Sequence, residues 1–181
     1  MTSALTYIKS DYFRYTGKSG SLLRMYLYTF KNHCFRFSFW YRLSSVKNWI
    51  SFYARIRRAS IASKYGILIS RKVKIGYGLY IGHGYGIMIN ATAIIGNNCN
   101  LSQFTTIGSN DGKAAVIGDN VYIGPSVCLV ENVHIGDNVT IGAGAVVTKD
   151  VPEGATCAGV PAKILNYDSP ARYIYNRWPI E

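Results

Sequence analysis

Residues 117–135 read Ile117-Gly118-Asp119-Asn120-Val121-Tyr122-Ile123-Gly124-Pro125-Ser126-Val127-Cys128-Leu129-Val130-Glu131-Asn132-Val133-His134-Ile135. A large aliphatic residue returns at every sixth position, a period that fits neither a 3.6-residue helix nor an alternating strand. Outward from this stretch the same beat runs through Ile69, Ile75, Ile81 and Ile87. After a two-residue phase shift it continues through Ile89, Ile95, Leu101 and Ile107, and after a longer insertion from Ile117 to Val147. Small apolar residues often precede it by two places, as at Val121, Val127, Val133, Val139 and Ala145. A short strand ending in a tight turn satisfies such a period. The aliphatic side chain points inward, and Gly or Asn, which tolerate φ > 0, take the corner at Gly96-Asn97-Asn98, Gly118-Asp119-Asn120 and Gly136-Asp137-Asn138. Residues 69–152 are therefore expected to stack as an aliphatic-cored solenoid, with strands about 4.8 Å apart along its axis.

Charge divides the chain. Its 181 residues hold 20 Lys+Arg and 9 Asp+Glu, a formal charge of +11. Residues 1–66 hold twelve of the basic residues and one acid, Asp11, whereas residues 67–181 hold eight of each. The first segment also carries 16 of the 25 aromatic residues. Three units are expected: a basic aromatic helical segment over 1–66, the solenoid domain over 67–165 and a tail over 166–181. A nucleic-acid binder needs Lys and Arg spread over its contact face, and the neutral solenoid offers none. No run approaches the roughly 20 apolar residues that span a bilayer, and the first residues lack a signal-peptide pattern, so a cytoplasmic location is expected. Cys34, Cys99, Cys128 and Cys157 form no Cys-x-x-Cys pair and are expected to be reduced thiols.

Residues 2–16 and 20–64 read as helices, with Thr2 and Ser19 or Ser21 as N-caps and Gly17 and Gly66 as stops. The stretch from Cys34 to Leu43 is too aromatic all round for a freely solvated helix. Its apolar faces meet the solenoid, sister subunits or lipid, and two readings stand open: packing within an oligomer, or peripheral docking on an anionic membrane.

The six-residue pattern resembles the hexapeptide-repeat acyltransferases. That resemblance implies a mainly β fold, a left-handed parallel β-helix with three hexapeptides per coil and here an N-terminal α-helical segment, usually assembled as a homotrimer. The segment Ala158-Gly159-Val160-Pro161-Ala162-Lys163 is similar to the ending those proteins share, which implies acetyl-CoA as acyl donor.

Chemistry is expected where a monotonous solenoid breaks its own rule. At Gly82-His83-Gly84-Tyr85-Gly86 the repeat slips phase, and His83 is the one imidazole that combines a break with a glycine-rich backbone. Imidazole suits proton removal from a hydroxyl because its ordinary pKa, about 6.5, lies near neutrality. The pattern His83-x-x-Gly86-Ile87-x-Ile89-x-x-x-Ala93-x-Ile95-Gly96 resembles the segment around the catalytic histidine of serine acetyltransferases and bacterial polysaccharide O-acetyltransferases, which makes His83 the expected general base. Against the serine enzymes three features differ. Gly82 stands where they have Asp, Leu68 stands where they have a second Asp, and Ser109 to Ala115 replaces a loop with an Arg-His pair. The resemblance with those departures implies a sugar hydroxyl acceptor, free or on a lipid-linked glycan, in surface polysaccharide assembly. Serine acetylation is the alternative, and a non-catalytic trimeric scaffold a third reading. A three-histidine zinc site is disfavoured, since His83 and His134 are the only histidines in the repeat, and no metal is expected.

The resemblance implies a coenzyme A path past Gly108, Gly124 with Pro125, and Gly142 with Ala143, where small residues let the backbone approach the pantetheine arm. Lys149 and Lys163 are candidates for its phosphates and Pro161 for its adenine. Asp111 and Lys113 in the 109–116 insertion border the acceptor or the pantetheine, or simply form a polar turn. Asn90, Gln103 and Tyr85 complete the acceptor candidates, Asn90 being equally suited to a coil corner. No cysteine neighbours His83 in sequence, so direct transfer without an acyl-enzyme is expected.

Overall fold

The computed structural model describes residues 4–46 and 49–180, which places Thr2 outside the described residues. Four helices come first: α1 (Ala4–Thr16), α2 (Leu22–Lys31), α3 (His33–Ser44) and α4 (Trp49–Tyr65). Gly17 and Gly66 end α1 and α4 at φ 65° and 67°, as expected of glycine stops. The single helix expected over 20–64 is instead broken into three. At Asn32 the backbone is extended, and the side chain accepts from Phe35 N at 2.9 Å while the Asn32 N–H closes α2 onto Tyr28 O. One residue thus serves as C-cap of α2 and N-cap of α3, a local competition that Asn wins against helix continuation. Ser21 caps α2 through Arg24 N.

Fifteen short strands follow among the described residues. They are β1 (Leu68–Ile69), β2 (Lys74–Ile75), β3 (Tyr80–Ile81), β4 (Met88–Ile89), β5 (Ile94–Ile95), β6 (Asn100–Leu101), β7 (Thr106–Gly108), β8 (Val116–Ile117), β9 (Tyr122–Ile123), β10 (Cys128–Val130), β11 (His134–Ile135), β12 (Thr140–Ile141), β13 (Val146–Val147), β14 (Thr156–Ala158) and β15 (Lys163–Asn166). Every third strand stacks in parallel on the last, giving three faces: β1-β4-β7-β10-β13, β2-β5-β8-β11 and β3-β6-β9-β12-β14. This is a parallel β-solenoid of about four turns with an N-terminal helical segment. The antiparallel strand β15 covers β14.

The inward residues form three aliphatic ladders. Ile69, Ile89, Ile107, Leu129 and Val147 line the first face, Ile75, Ile95, Ile117 and Ile135 the second, and Ile81, Leu101, Ile123, Ile141 and Cys157 the third. All are buried, and full burial of such a side chain contributes about 1.5–3 kcal/mol. Register shows where the rule is broken. Regular coils pair residues 18 apart, as Tyr122 with Thr140, while Ile81 pairs with Leu101, 20 on, and Ile95 with Ile117, 22 on. The two extra residues are the slip at His83, and the four extra form the insertion at 109–116.

At the corner between the second and third faces, Asn98, Asn120 and Asn138 take left-handed φ of 54°, 55° and 60°. Asn97, Asp119 and Asp137 tie successive coils there: Asn97 N donates to Asp119 Oδ1 at 2.6 Å, and Asp119 N to Asp137 Oδ1 at 2.7 Å. The C-terminal segment returns along this corner, with Trp178 N donating to Asn98 Oδ1 at 2.8 Å and Trp178 meeting Phe13 of α1 edge to face.

The helical segment closes one end of the solenoid. Neighbouring coils bond in both directions, as Gly76 N to Ile95 O and Asn98 N to Tyr77 O, so the first coil is left with carbonyls and amides on the edge that no earlier coil meets. A guanidinium, with five donors and no acceptor, complements those carbonyls. Arg42 donates to Ile75 O at 2.8 Å and Gly76 O at 2.7 Å, Arg14 to Gly78 O at 2.7 Å, and Arg58 to Ile69 O at 2.8 Å. Tyr41 OH adds bonds to Ser70 O and Val73 O, and Tyr15 OH to Ile81 O. Arg42 is buried, and its charge is met by Asp11 at 2.9 and 3.0 Å. Ser38 Oγ and Leu79 N also donate to that carboxylate. Arg14 and Arg42 are thereby buried against the solenoid of their own chain.

Candidate active site

His83 sits just past β3, at the corner between the third and first faces, where the two additional residues bulge. Its backbone is left-handed, φ 51°, and Tyr85 N closes a tight turn onto His83 O at 2.8 Å. Gly84 follows because a Cβ there would lie 3.0 Å from Ile81 Cγ2 and 3.2 Å from Cys34 Sγ. The His83 side chain is exposed.

A cleft of about 370 Å³ opens beside it between the α2–α3 junction and the third face. His33 and Cys34 line it from the helices, and His83, Tyr80, Asn100 and Tyr122 from the coils. None of its lining residues is acidic, and its one Lys or Arg is Lys31. It adjoins a smaller cleft of about 290 Å³ that shares Tyr15, Tyr80 and Asn100 and is bordered by Arg14 and Tyr173. A larger cleft of about 550 Å³ between α1, α3 and the second face is lined by no imidazole, thiol or carboxylate.

The sequence separation of His33 and Cys34 from His83 hid their proximity. Gly84 N donates to Cys34 Sγ at 3.1 Å, so the thiol neighbours the histidine in space although not in sequence. Burial pushes the Cys34 thiol up, which keeps it protonated and a poor nucleophile. His33 opens α3 behind the Asn32 cap and stacks on Tyr65, with ring centroids 4.5 Å apart, and packs against Tyr85 at 5.3 Å. Desolvation, then Arg36 and then His83 hold its pKa below the usual histidine value. A capping signal at Asn32 is the one sequence cue that would have placed His33 at a helix start.

The other candidate residues separate onto two corners. With His83, between the third and first faces, lie Tyr85, Gln103, Gly124, Pro125, Gly142 and Ala143, and Pro161 follows β14 on the same side. Gly82, Ser102, Gly124 and Gly142 form one column, joined by Gly82 N to Leu101 O, Ser102 N to Ile123 O, Gly124 N to Ile141 O and Gly142 N to Cys157 O. Stacking itself demands the glycines, since a Cβ on Gly124 would lie 2.8 Å from Ile141 O and one on Gly142 2.9 Å from Ala158 Cβ. Gln103 Oε1 is buried without a partner among the described residues. Lys163, exposed, pairs with Ala158 at the start of β15.

Asn90, Gly108, Asp111, Lys113 and Lys149 lie at the next corner, between the first and second faces. Asn90 serves there as a corner residue, its Oδ1 accepting from Thr92 N at 3.0 Å and its Nδ2 donating to Ser109 O. The insertion is held by Glu131, unnoticed in the sequence, which accepts from Ser109 Oγ at 2.8 Å and from the amides of Asn110 and Asp111. Those donors hold its carboxyl below the usual range. Within one chain, then, Asp111 and Lys113 do not share a corner with His83.

No group of three or more His, Cys, Asp or Glu placed to hold a metal ion occurs among the described residues.

Residues 114–149 match the bacterial transferase hexapeptide (six repeats) family. The chain is 44% identical over 96 residues to serine acetyltransferase 3, mitochondrial, of Arabidopsis thaliana, covering 51% of this chain and 25% of that protein. It is 37% identical over 122 residues to a serine acetyltransferase of Staphylococcus aureus, covering 64% and 57% respectively. The chain thus spans a quarter to about three-fifths of these curated relatives. In structure it matches a serine acetyltransferase of Brucella abortus with TM-score 0.70 and 27% identity, over 90% of this chain and 66% of that one. A Neisseria gonorrhoeae serine acetyltransferase in complex with serine matches with TM-score 0.69 and 28% identity, over 88% and 66%. A Brucella abortus enzyme in complex with coenzyme A matches with TM-score 0.69 and 25% identity, over 90% and 66%. Because 90% of the chain exceeds the solenoid, the likeness takes in the helical segment. The chain therefore carries the bacterial transferase hexapeptide repeat and is similar, helices included, to the serine acetyltransferases.

Proposed function

We propose that this protein is an acetyl-CoA-dependent O-acetyltransferase in which His83 is the general base. The observation that carries the reading is an exposed imidazole at the corner where the two-residue slip bulges from the coil, beside a cleft and at the head of a column of small residues. The acceptor hydroxyl gives its proton to His83 as its oxygen attacks the thioester carbonyl. Collapse of the tetrahedral adduct breaks the carbon–sulfur bond, and the proton passes from the imidazolium to the departing thiolate. Cys34, held protonated, takes no part in bond making, in keeping with direct transfer. The backbone at Gly124 and Gly142 leaves room for the pantetheine arm, and Pro125, Ala143, Pro161 and Lys163 stand along the same side. The candidates Gly108, Asp111, Lys113 and Lys149, on the next corner, join such a site only from a neighbouring chain, which favours an oligomer; a homotrimer is the arrangement we propose.

Serine is the acceptor favoured by the relatives described above, which are named serine acetyltransferases. No relative described here speaks for a role in surface polysaccharide. A sugar hydroxyl is kept as a second reading on one observation: the cleft lining lacks a carboxylate to meet the ammonium of serine. Leu68, where the serine enzymes have Asp, points its exposed side chain away from the core. Release of free thiol from acetyl-CoA, followed with serine and with hexoses as acceptors, decides between them. His83→Ala should lower turnover about 10²–10⁴-fold on whichever acceptor reacts, with coenzyme A affinity little changed. Full turnover by that variant would overturn the assignment.

A further inference from the structure

On α2 and α4 the usual arrangement of side chains is inverted. The buried positions of α4 include Ser51 and Ala54, which let it lie close to α3, while Trp49, Phe52, Tyr53 and Ile56 point outward. Their spacing, at i, i+3, i+4 and i+7, makes one stripe along the helix. On α2 the buried residues are Met25 and Thr29, while Leu22, Leu23, Tyr26, Leu27 and Phe30 are exposed. Trp49 is 84% exposed, Phe52 69% and Leu23 67%. The two stripes are one surface, because Trp40 of α3 contacts Tyr26 at 6.4 Å and Tyr53 at 5.5 Å between ring centroids. Scattered apolar residues need no partner, but a contiguous patch of this kind marks a docking face.

Charge selects the occupant. Arg24, Lys31, Arg55 and Arg57 border the patch and are exposed, with Arg57 lying 5.8 Å over the Trp40 ring. Among the described residues of the helical segment the one acid is Asp11, which is buried against Arg42. A second copy of the same face would set cations against cations with no carboxylate to pair them. An anionic lipid surface meets both demands, taking aromatic and aliphatic side chains below the headgroups and cations among the phosphates. No helix among the described residues is long and apolar enough to cross a membrane, so the contact considered is with a bilayer surface.

We propose that the α2–α4 face docks this protein peripherally on an anionic membrane. The inference does not depend on the acetyl-transfer reading. The test is co-sedimentation of the full chain with phosphatidylcholine vesicles carrying about one-third phosphatidylglycerol, or none, at about 0.1 M salt. Binding is expected only to the anionic vesicles, weakening as salt rises, with a blue shift of tryptophan emission as Trp49 leaves water. Arg55→Gln with Arg57→Gln should weaken it about 25-fold, roughly fivefold for each cation lost. Trp49→Ser with Phe52→Ser should weaken it at least about tenfold with an unchanged far-ultraviolet spectrum, both residues being exposed. Failure to bind anionic vesicles, binding equally strong without phosphatidylglycerol, or undiminished binding by the Trp49/Phe52 variant would each overturn the proposal. So would a lipid-free change of oligomeric state in that variant, which would assign the face to a second copy.

Discussion

Replacing Arg42 by Met tests whether the helical segment is a cap on the solenoid or an appendage. The methionine matches the length of the aliphatic stem but removes every donor. Two carbonyls, Ile75 O and Gly76 O, lose partners at 2.8 and 2.7 Å, and the Asp11 carboxylate loses two bonds while staying buried. Breaking a buried pair from one side costs about 3–5 kcal/mol, and an unsatisfied buried carbonyl about 1–3 kcal/mol. Ser38 and Leu79 still donate to Asp11, and the part-buried Gly76 O can turn to water, which leaves one buried carbonyl and the lower end for the pair, about 4 kcal/mol in all. A chain of this size loses roughly 2–4 °C of Tm per kcal/mol, so a fall of about 8–16 °C is expected in thermal unfolding followed by circular dichroism. The double variant with Asp11→Asn should lose less than the sum of the two single changes, by about 1–3 kcal/mol, because the carboxylate left stranded by the first change is then neutral. A fall of less than about 3 °C, or strict additivity in the double variant, would refute the cap.

Two further predictions concern the cleft and the column below it. His33, whose pKa is lowered in the folded chain, favours the folded state while neutral. Its contribution is complete above the unfolded value of about 6.5 and falls as pH drops below it, because the unfolded chain then binds the proton more readily. Imidazole resonances followed by NMR should give His33 a pKa below that of a free histidine, and His83→Gln should raise it by removing a neighbouring positive charge; no change on that substitution would separate the two rings. Gly124→Ala should destabilise the fold by about 1–3 kcal/mol in urea, since its Cβ meets backbone of the next coil, whereas Gly108→Ala, with nothing within 4 Å of its Cβ, should leave stability unchanged. Weaker coenzyme A binding by Gly108→Ala at unchanged stability would place the donor groove at that corner.

The solenoid was legible because its information is local and repeated. Six-residue spacing set the ladders, and the phase shift before Ile89 and the insertion before Ile117 reappear as register spans of 20 and 22 residues where 18 is the rule. Asn98, Asn120 and Asn138 were legible as corners for the same reason, each being a local answer to a positive φ. The helical segment was read less well. Its aromatic density concealed the cap at Asn32, and its composition left open whether the segment meets the solenoid, a sister chain or lipid. Arg14, Arg42 and Arg58 bind carbonyls of the solenoid 11 to 64 positions away, which no spacing rule reports. His83 stood out as a break in the repeat, while His33 and Cys34 entered the same cleft only through the packing of α3 on β3.

The arginine-capped end also bears on what this solenoid is unable to become. The terminal coil of such a stack carries a row of carbonyls and amides in alternation, so molecules left bare could extend one another coil on coil into an open filament. Here first-coil carbonyls are already bonded to guanidinium and tyrosine donors, and the amides of Gly78, Leu79 and Ile81 to Ser10, Asp11 and Tyr15 of the same chain, so an incoming edge finds these groups taken. The excess of positive charge in the first segment thus works partly as a terminator, setting the length of the stack at the number of coils the sequence encodes.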